Sequence, residues 1–247
     1  GESKKPTFAF INGLALGGGL EVGLHCHYRT LASTAFTGLP ECFLGLVPGW
    51  GGATILPKLI GPEKAVQVII LNALNNNTMM KAKDALGLGV VDAVYEPADF
   101  LEHSIKFAAE IISGKKKIDR ADFSKDTAGF EKAIATGKAA VSKKYGGAEI
   151  TSPLKALELI AAAQSNTYSQ GFDAEDQVLA DLVMTDSLRA SLYSFNLIQK
   201  KRKKVEGAPK PALARKVTKV GVVGAGLMAS QLALLMLRNL KVPVVIT

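Results

Sequence analysis

Cysteine is nearly missing from this sequence. Its 247 residues include only Cys26 and Cys42, each inside apolar sequence, which excludes a disulfide framework and fits a reducing compartment. Aromatic residues are also scarce, at 6%. The core must therefore be aliphatic, and the chain has little with which to stack nucleic-acid bases. No long uninterrupted apolar run occurs. The nearest approach to membrane-span length, residues 220–237, is broken by three glycines together with Ser230 and Gln231. It reads as strand, turn and helix, and no transmembrane segment is expected. A secretory leader is not visible either, because Lys4-Lys5-Pro6 runs straight into a short apolar strand. Gly1 does not resemble a natural start, so the chain is expected to be an internal piece of a longer protein.

What is present is ordinary for a globular protein: 48% hydrophobic and 21% charged residues, enough for one large domain or two modest ones. The net charge of +8 invites a nucleic-acid reading. Much of it, however, lies in two runs, Lys115-Lys116-Lys117 and Lys200-Lys201-Arg202-Lys203-Lys204, without interleaved aromatics. Solvated helix ends and linker account for such runs, and attraction of an anionic phosphorylated ligand is the next reading. No nucleic-acid partner is expected.

Along the chain, residues 7–11 form a buried strand, the run Gly17-Gly18-Gly19 opens a helix continuing towards Tyr28, and residues 28–32 form a second strand. A loop centred on Leu39-Pro40-Glu41 precedes the glycine-rich run from Gly45 to Gly52. Helical pattern follows at 63–71 and 79–86, and 89–94 reads as a closing strand. Beyond residue 99 the pattern changes to amphipathic helices at 99–112, 122–138, 153–168, 173–185 and 187–200. Gly207, Pro209 and Pro211 then mark a linker. No internal repeat is visible.

Two glycine-rich sites carry the chemistry. At the first, three successive glycines leave helix-start amides bare, so a ligand oxygen can approach without meeting a β-carbon. With the helix dipole, that makes an oxyanion hole. Glu21 follows in the first turn. A helix-start acid beside packing glycines is the plain alternative. Glu41, stiffened by Pro40 and followed by Cys42, Phe43 and Leu44, is a carboxylate in apolar surroundings that must find a partner or shift its pKa. Two acids in one pocket can hold a water between them, one taking its proton while the other delivers one.

The run Ile11-Asn12-Gly13-Leu14-Ala15-Leu16-Gly17-Gly18-Gly19-Leu20-Glu21, then Leu39-Pro40-Glu41, Leu44-Gly45 and Pro48-Gly49-Trp50-Gly51-Gly52, resembles the crotonase (enoyl-CoA hydratase/isomerase) family. The resemblance implies that Glu21 and Glu41 bind and activate the water added to a 2-enoyl-CoA thioester. It implies that the Gly18 amide supplies one oxyanion-hole bond and that the Gly49 amide positions the water. Trp50 reads equally as a lining of the acyl pocket and as a plain core residue. The trio His25-Cys26-His27 on the first helix is a departure from the pattern. Alternate helix positions point apart, and no metal site is expected.

At the second site, the strand Lys219-Val220-Gly221-Val222-Val223 leads into Gly224-Ala225-Gly226-Leu227-Met228-Ala229 and a helix over 230–240, followed by the strand Pro243-Val244-Val245-Ile246. This is a strand, tight turn and helix with the GxGxxA dinucleotide spacing, Gly224, Gly226 and Ala229 being the cofactor-binding positions. An α/β packing turn without nucleotide is the alternative. The stretch resembles the 3-hydroxyacyl-CoA dehydrogenase family. Ser152-Pro153-Leu154-Lys155-Ala156 and Ser191-Leu192-Tyr193-Ser194-Phe195 are similar to the connector of the multifunctional fatty-acid oxidation enzymes.

Together the resemblances imply an α/β architecture: the C-terminal half of a crotonase (ββα spiral) fold over 1–97, a helical connector over 98–204, a linker over 205–218, and over 219–247 the first βαβ unit of a Rossmann domain that takes NAD. They imply a multifunctional enzyme of fatty-acid β-oxidation that hydrates 2-enoyl-CoA and oxidises the 3-hydroxyacyl-CoA product, with the piece itself expected to be inactive. The coenzyme A thioester is the substrate. A thiolase subunit and self-association are the implied partners. A bacterial cytoplasm is the expected location, with mitochondrial or peroxisomal placement left open. Isomerisation of 3-enoyl-CoA as the main reaction, or a non-catalytic acyl-CoA-binding scaffold, remain as other readings.

Overall fold

The structure, a computed structural model, describes residues 3–148, 150–201 and 207–247. Residues 202–204 of the second basic run and 205–206 of the expected linker lie outside these. The chain divides into two compact units, one running to Leu197 and one from Ile198 to Thr247.

The first unit builds strand, short strand and helix twice over. β1 (Phe8–Ile11), β2 (Ala15–Leu16) and α1 (Gly18–Leu24) are followed by β3 (Tyr28–Ala32), β4 (Phe36–Gly38) and α2 (Glu41–Leu44). The repeat is one of backbone path rather than of residues, which is why the sequence conceals it. β1 and β3 pair in parallel, Phe8 opposite Tyr28, and β3 pairs in parallel with β6 (Ala93–Tyr95). β2 and β4 pair in parallel in a second sheet, completed by antiparallel β5 (Met80–Lys81). α3 (Gly52–Ile60), α4 (Pro62–Val66) and α5 (Asn72–Leu74), the last two joined by a π turn over Gln67–Leu71, and then α6 (Ala82–Leu88) close the α/β part.

Several boundaries differ from the sequence reading. The first helix stops at Leu24 instead of continuing towards Tyr28. The buried Arg29 guanidinium reaches back to it, its Nη1 donating to the carbonyls of Cys26 at 2.7 Å and Gly23 at 3.4 Å. Those bonds satisfy chain-end carbonyls that a longer helix would use internally. Glu41 is the first residue of a helix, not part of a loop. Helix α3 falls between the glycine-rich run and the helical pattern at 63–71, in a stretch to which no element was assigned; Pro57 lies inside it, and Gly61 closes it with an N–H bond to the Pro57 carbonyl.

α7 (Phe100–Ile112), α8 (Thr127–Tyr145), α9 (Thr151–Ala162), α10 (Tyr168–Val183) and α11 (Asp186–Asn196) follow. The helices expected to form a connector pack on the α/β part. Phe130, Ala133 and Val141 of α8 and Leu157 and Ile160 of α9 share one aliphatic core with Leu20, Leu31, Leu56, Ile69 and Ile70. Burying each of these side chains larger than alanine contributes roughly 1.5–3 kcal/mol. α10 starts at Tyr168, five residues ahead of the expected start, because Thr167 and Gln170 cap it reciprocally.

A charged cluster ties β3 to the approach to β6. Arg29 Nε donates to the Val90 carbonyl at 2.8 Å, and Asp92 accepts both the Arg29 amide at 2.8 Å and Arg120 Nη2 at 2.9 Å. The side chains of Arg29 and Asp92 are 1% and 3% exposed.

The second unit is a βαβ arrangement. β7 (Val220–Val222) pairs in parallel with β8 (Val244–Ile246), Val220 opposite Val244, and α12 (Leu227–Leu240) lies between them in sequence. Among the described residues no helix is long and apolar enough to cross a membrane.

Loss of a buried ionic partner costs about 3–5 kcal/mol, whereas exposed pairs contribute little. Asp92→Ala should therefore lower stability by about 3 kcal/mol in urea unfolding. Glu63→Ala, which breaks the exposed pair with Lys132, should leave the midpoint unchanged. Equal effects would contradict the role given to the cluster.

Candidate active site

Glu21 lies in the first turn of α1 and is 3% exposed. Its Oε1 accepts the backbone N–H groups of Trp50 at 2.8 Å and Gly52 at 2.9 Å. These amides belong to the turn that opens α3, where the first N–H groups have no intrahelical acceptor. Burial raises the Glu21 pKa; the Trp50 and Gly52 amides and the nearby His25 oppose that rise.

Glu41, half-buried at the start of α2, stands over the glycine run. A methyl group at Gly17 would come within 2.5 Å of its Oε1. Gly17 has φ +55° and so suits glycine on backbone grounds as well. Burial pushes the Glu41 carboxyl up to about 8, its own amide opposes this, and the charge of Glu21 adds to it. Its Oε2 is buried with no hydrogen-bond partner. Two carboxyls thus share one field while differing in support. Glu21 has two amide donors that favour its ionised form, and Glu41 has a bare oxygen that favours its neutral form.

Gly18 follows in the same turn, so close to Trp50 that a methyl group on it would lie 2.9 Å from the indole ring. At 62% exposed, Trp50 is not a core residue, which corrects one of its two readings. With seven residues, α1 carries little macrodipole, so the helix dipole expected at this turn adds little. Gly49 is buried, and a methyl group there would overlap Leu179 of α10. The structure therefore gathers Glu21, Glu41, Gly18 and Trp50 around the turn that Gly49 enters. Gly224, Gly226 and Ala229 belong to the second unit.

His25, Cys26 and His27 fall beyond the end of α1, not on it. His25 Nε2 bonds the Trp50 carbonyl at 2.9 Å, and His27 Nδ1 bonds the Thr7 hydroxyl at 2.8 Å. Among the described residues no group of three His, Cys, Asp or Glu side chains is disposed to hold a metal ion. Burial pushes the Cys42 thiol up to about 12, leaving it a protonated packing group rather than a nucleophile.

The sequence reading missed Glu175. On α10 it is 0% exposed, and its Oε2 accepts the Gly51 amide at 2.5 Å. Burial pushes it up to about 7, against the pull of Thr54 and the Gly51 amide, and the charge of Glu21 adds to the rise. A signal was present: Gly171, Glu175, Val178 and Leu182 follow helical spacing along one face, so an acid occupies an apolar stripe.

A family model described as enoyl-CoA hydratase/isomerase matches residues 1–145. The chain is 32% identical over 236 residues to a peroxisomal fatty acid beta-oxidation multifunctional protein of Arabidopsis thaliana, covering 94% of this chain and 31% of that protein. It is 33% identical over 234 residues to the fatty acid oxidation complex subunit alpha of Idiomarina loihiensis, covering 92% and 32%. The chain thus spans about a third of the length of these curated relatives. The crystal structure of an enoyl-CoA hydratase/isomerase from Pseudoalteromonas atlantica matches with a TM-score of 0.51 at 19% identity, over 78% of this chain and 62% of that one. An enoyl-CoA hydratase from Mycobacterium avium subsp. paratuberculosis matches with a TM-score of 0.50 at 19% identity, over 77% and 63%. These two likenesses establish the α/β fold of the hydratases.

An unfolded Glu41 ionises near 4.5, whereas the folded one holds its proton up to about pH 8. Between those values the folded state binds more protons, so this group makes stability fall as pH rises. The slope approaches about 1.4 kcal/mol per pH unit at most. Glu41→Gln removes that contribution. Its stability in urea should fall less between pH 5 and pH 8 than that of the parent, and parallel pH curves would contradict the burial of a neutral Glu41.

Proposed function

The chain belongs to the enoyl-CoA hydratase/isomerase family, and from that premise we propose that its first unit carries the hydration site of a fatty-acid β-oxidation enzyme acting on 2-enoyl-CoA thioesters. The observation that carries the proposal is the unequal support of two coupled carboxyls. Glu21 has two amide donors, and Glu41 has a buried oxygen with none.

That asymmetry assigns the roles. Ionised Glu21 accepts a proton from the water, whose oxygen forms the new bond to the β-carbon. The electron pair of the double bond moves towards the thioester, building enolate charge on its oxygen. Neutral Glu41 delivers a proton to the α-carbon, and the product is 3-hydroxyacyl-CoA. One proton is taken and one given, so the pair ends with the charge it began with. The Gly18 amide donates to the thioester oxygen as its charge grows, an interaction stronger in the transition state than in the substrate. The Gly49 amide helps to place the water, and Trp50 lines the acyl pocket.

For the full-length protein we propose that the second unit begins an NAD-binding domain. The residues suit a dinucleotide. Gly224 has φ +108°, no atom lies within 4 Å of a methyl group built at Gly224 or Gly226, and no side chain caps the start of α12. Gly224, Gly226 and Ala229 would hold the pyrophosphate against those free amides. NAD would supply the hydride acceptor for oxidation of the 3-hydroxyacyl product. The named relatives, peroxisomal in plants and a complex subunit in bacteria, support the β-oxidation setting. A thiolase partner, self-association and a bacterial cytoplasmic location complete the proposal.

In the full-length protein, Glu21→Gln and Glu41→Gln should each slow hydration of crotonyl-CoA by about 10²–10⁴-fold, with KM changing far less. Unchanged turnover in both variants would favour an acyl-CoA-binding scaffold. Turnover of 3-hexenoyl-CoA well above that of crotonyl-CoA would make isomerisation the main reaction.

A further inference from the structure

We propose that Glu175 is a positioning residue of the hydration site, fixing the turn whose amides hold Glu21; the proposal rests on the hydratase reading above. Three consecutive amides of that turn are divided between carboxyls from two helices. Trp50 and Gly52 donate to Glu21 of α1, and Gly51 between them donates to Glu175 of α10. Successive N–H groups here point in alternate directions, so seating the middle one on Glu175 leaves its two neighbours aimed at Glu21. Gly51 has φ +101°, a conformation that favours glycine, and its amide is the one seated on Glu175.

The rest of α10 is fitted to the same turn. Gly171 lies against Thr54, where a methyl group would overlap the threonine side chain, and Leu179 lies against Gly49 in the same way. The Phe172 ring packs 5.1 Å from that of His25, whose Nε2 holds the Trp50 carbonyl. The turn is thus gripped at Gly49, Trp50 and Gly51 by α10 or by a side chain that α10 supports.

Packing alone does not explain an acid here. A fully buried carboxyl with one oxygen lacking a hydrogen-bond partner is a costly way to fill an apolar stripe, which leucine or methionine would fill without that penalty. The residue is accounted for by the Gly51 amide it receives, with Thr54 also favouring its charged form. In consequence the hydration site depends on a helix 124 residues beyond Gly51, within the segment that the sequence reading assigned to a connector.

The test compares Glu175→Met, which keeps volume and removes the acceptor, with Glu175→Gln, which keeps an acceptor and removes the charge. A displacement near 1 Å at a catalytic group costs about 10²-fold in rate. In the full-length protein, the Met variant should lose roughly ten- to a hundredfold in kcat on that scale with KM within about twofold, and the Gln variant should stay within about threefold of the parent. Parent-like kcat in a folded Met variant, an equal loss in both variants, or a rise in KM alone would overturn the proposal.

Trp50, the one tryptophan of this 247-residue sequence, supplies a readout without turnover. Its emission in the chain should shift in the Met variant and match the parent in the Gln variant. That shift would appear even if crotonyl-CoA proved not to be the substrate, so failure of the hydratase reading and failure of this proposal give different results. If the Met variant does not fold, hydrogen exchange of the Gly51 amide decides. Equal protection in the parent and Gln forms supports the proposal, and lost protection in a Gln form of parent-like kcat overturns it.

Discussion

Everything at the site depends on the pair of amide bonds that the turn opening α3 donates to Glu21. A carboxylate that is 3% exposed would ordinarily take up a proton, because burial penalises the charge. Two directed N–H donors oppose that penalty, although burial still leaves the Glu21 pKa raised, and they fix the rotamer. They also set Glu21 apart from Glu41, one of whose oxygens is buried with no donor. With the two acids coupled, support for the charge on one holds the proton on the other. The water addition proposed above needs that division, and the fold would supply it by backbone placement rather than by a basic side chain.

The placement has a simple construction. Two strand–strand–helix passages set the starts of α1 and α2 side by side, so that Glu41 reaches the Gly17 turn from which Glu21 projects. α3 then presents its first turn to α1. The aliphatic core beneath them is shared with α8 and α9, and α10 presses on the turn from its other side. The helices that close the first unit are therefore part of what shapes the site.

Much of this was legible in the sequence. The strands at 7–11 and 28–32 emerged within a residue of their observed limits, the first because a short apolar run ended by Asn12-Gly13 leaves few choices. Glu21 and Glu41 were legible because each follows a short motif of glycine or proline whose order along the chain carries information. The parallel pairing of β7 with β8 around α12 agrees with the strand, turn and helix read there.

What was not legible depends on distant contacts. The end of α1 at Leu24 is set by Arg29 reaching back to the Gly23 and Cys26 carbonyls, and α3 was concealed by Pro57 and the glycines before it. Glu175 stands alone in its motif, and its meaning comes from one amide far away in the chain. Trp50 was ambiguous because a large apolar residue beside glycines suits a core or a cleft equally, and only its 62% exposure settles the first alternative. The most direct test of the central claim is the infrared spectrum of the carboxyl groups near pH 7. A neutral-carboxyl C=O band that loses its Glu41 component in Glu41→Gln, leaving that of Glu175, and keeps it in Glu21→Gln is the result predicted here. A band lost in Glu21→Gln instead would reverse the assignment of acid and base and contradict the account.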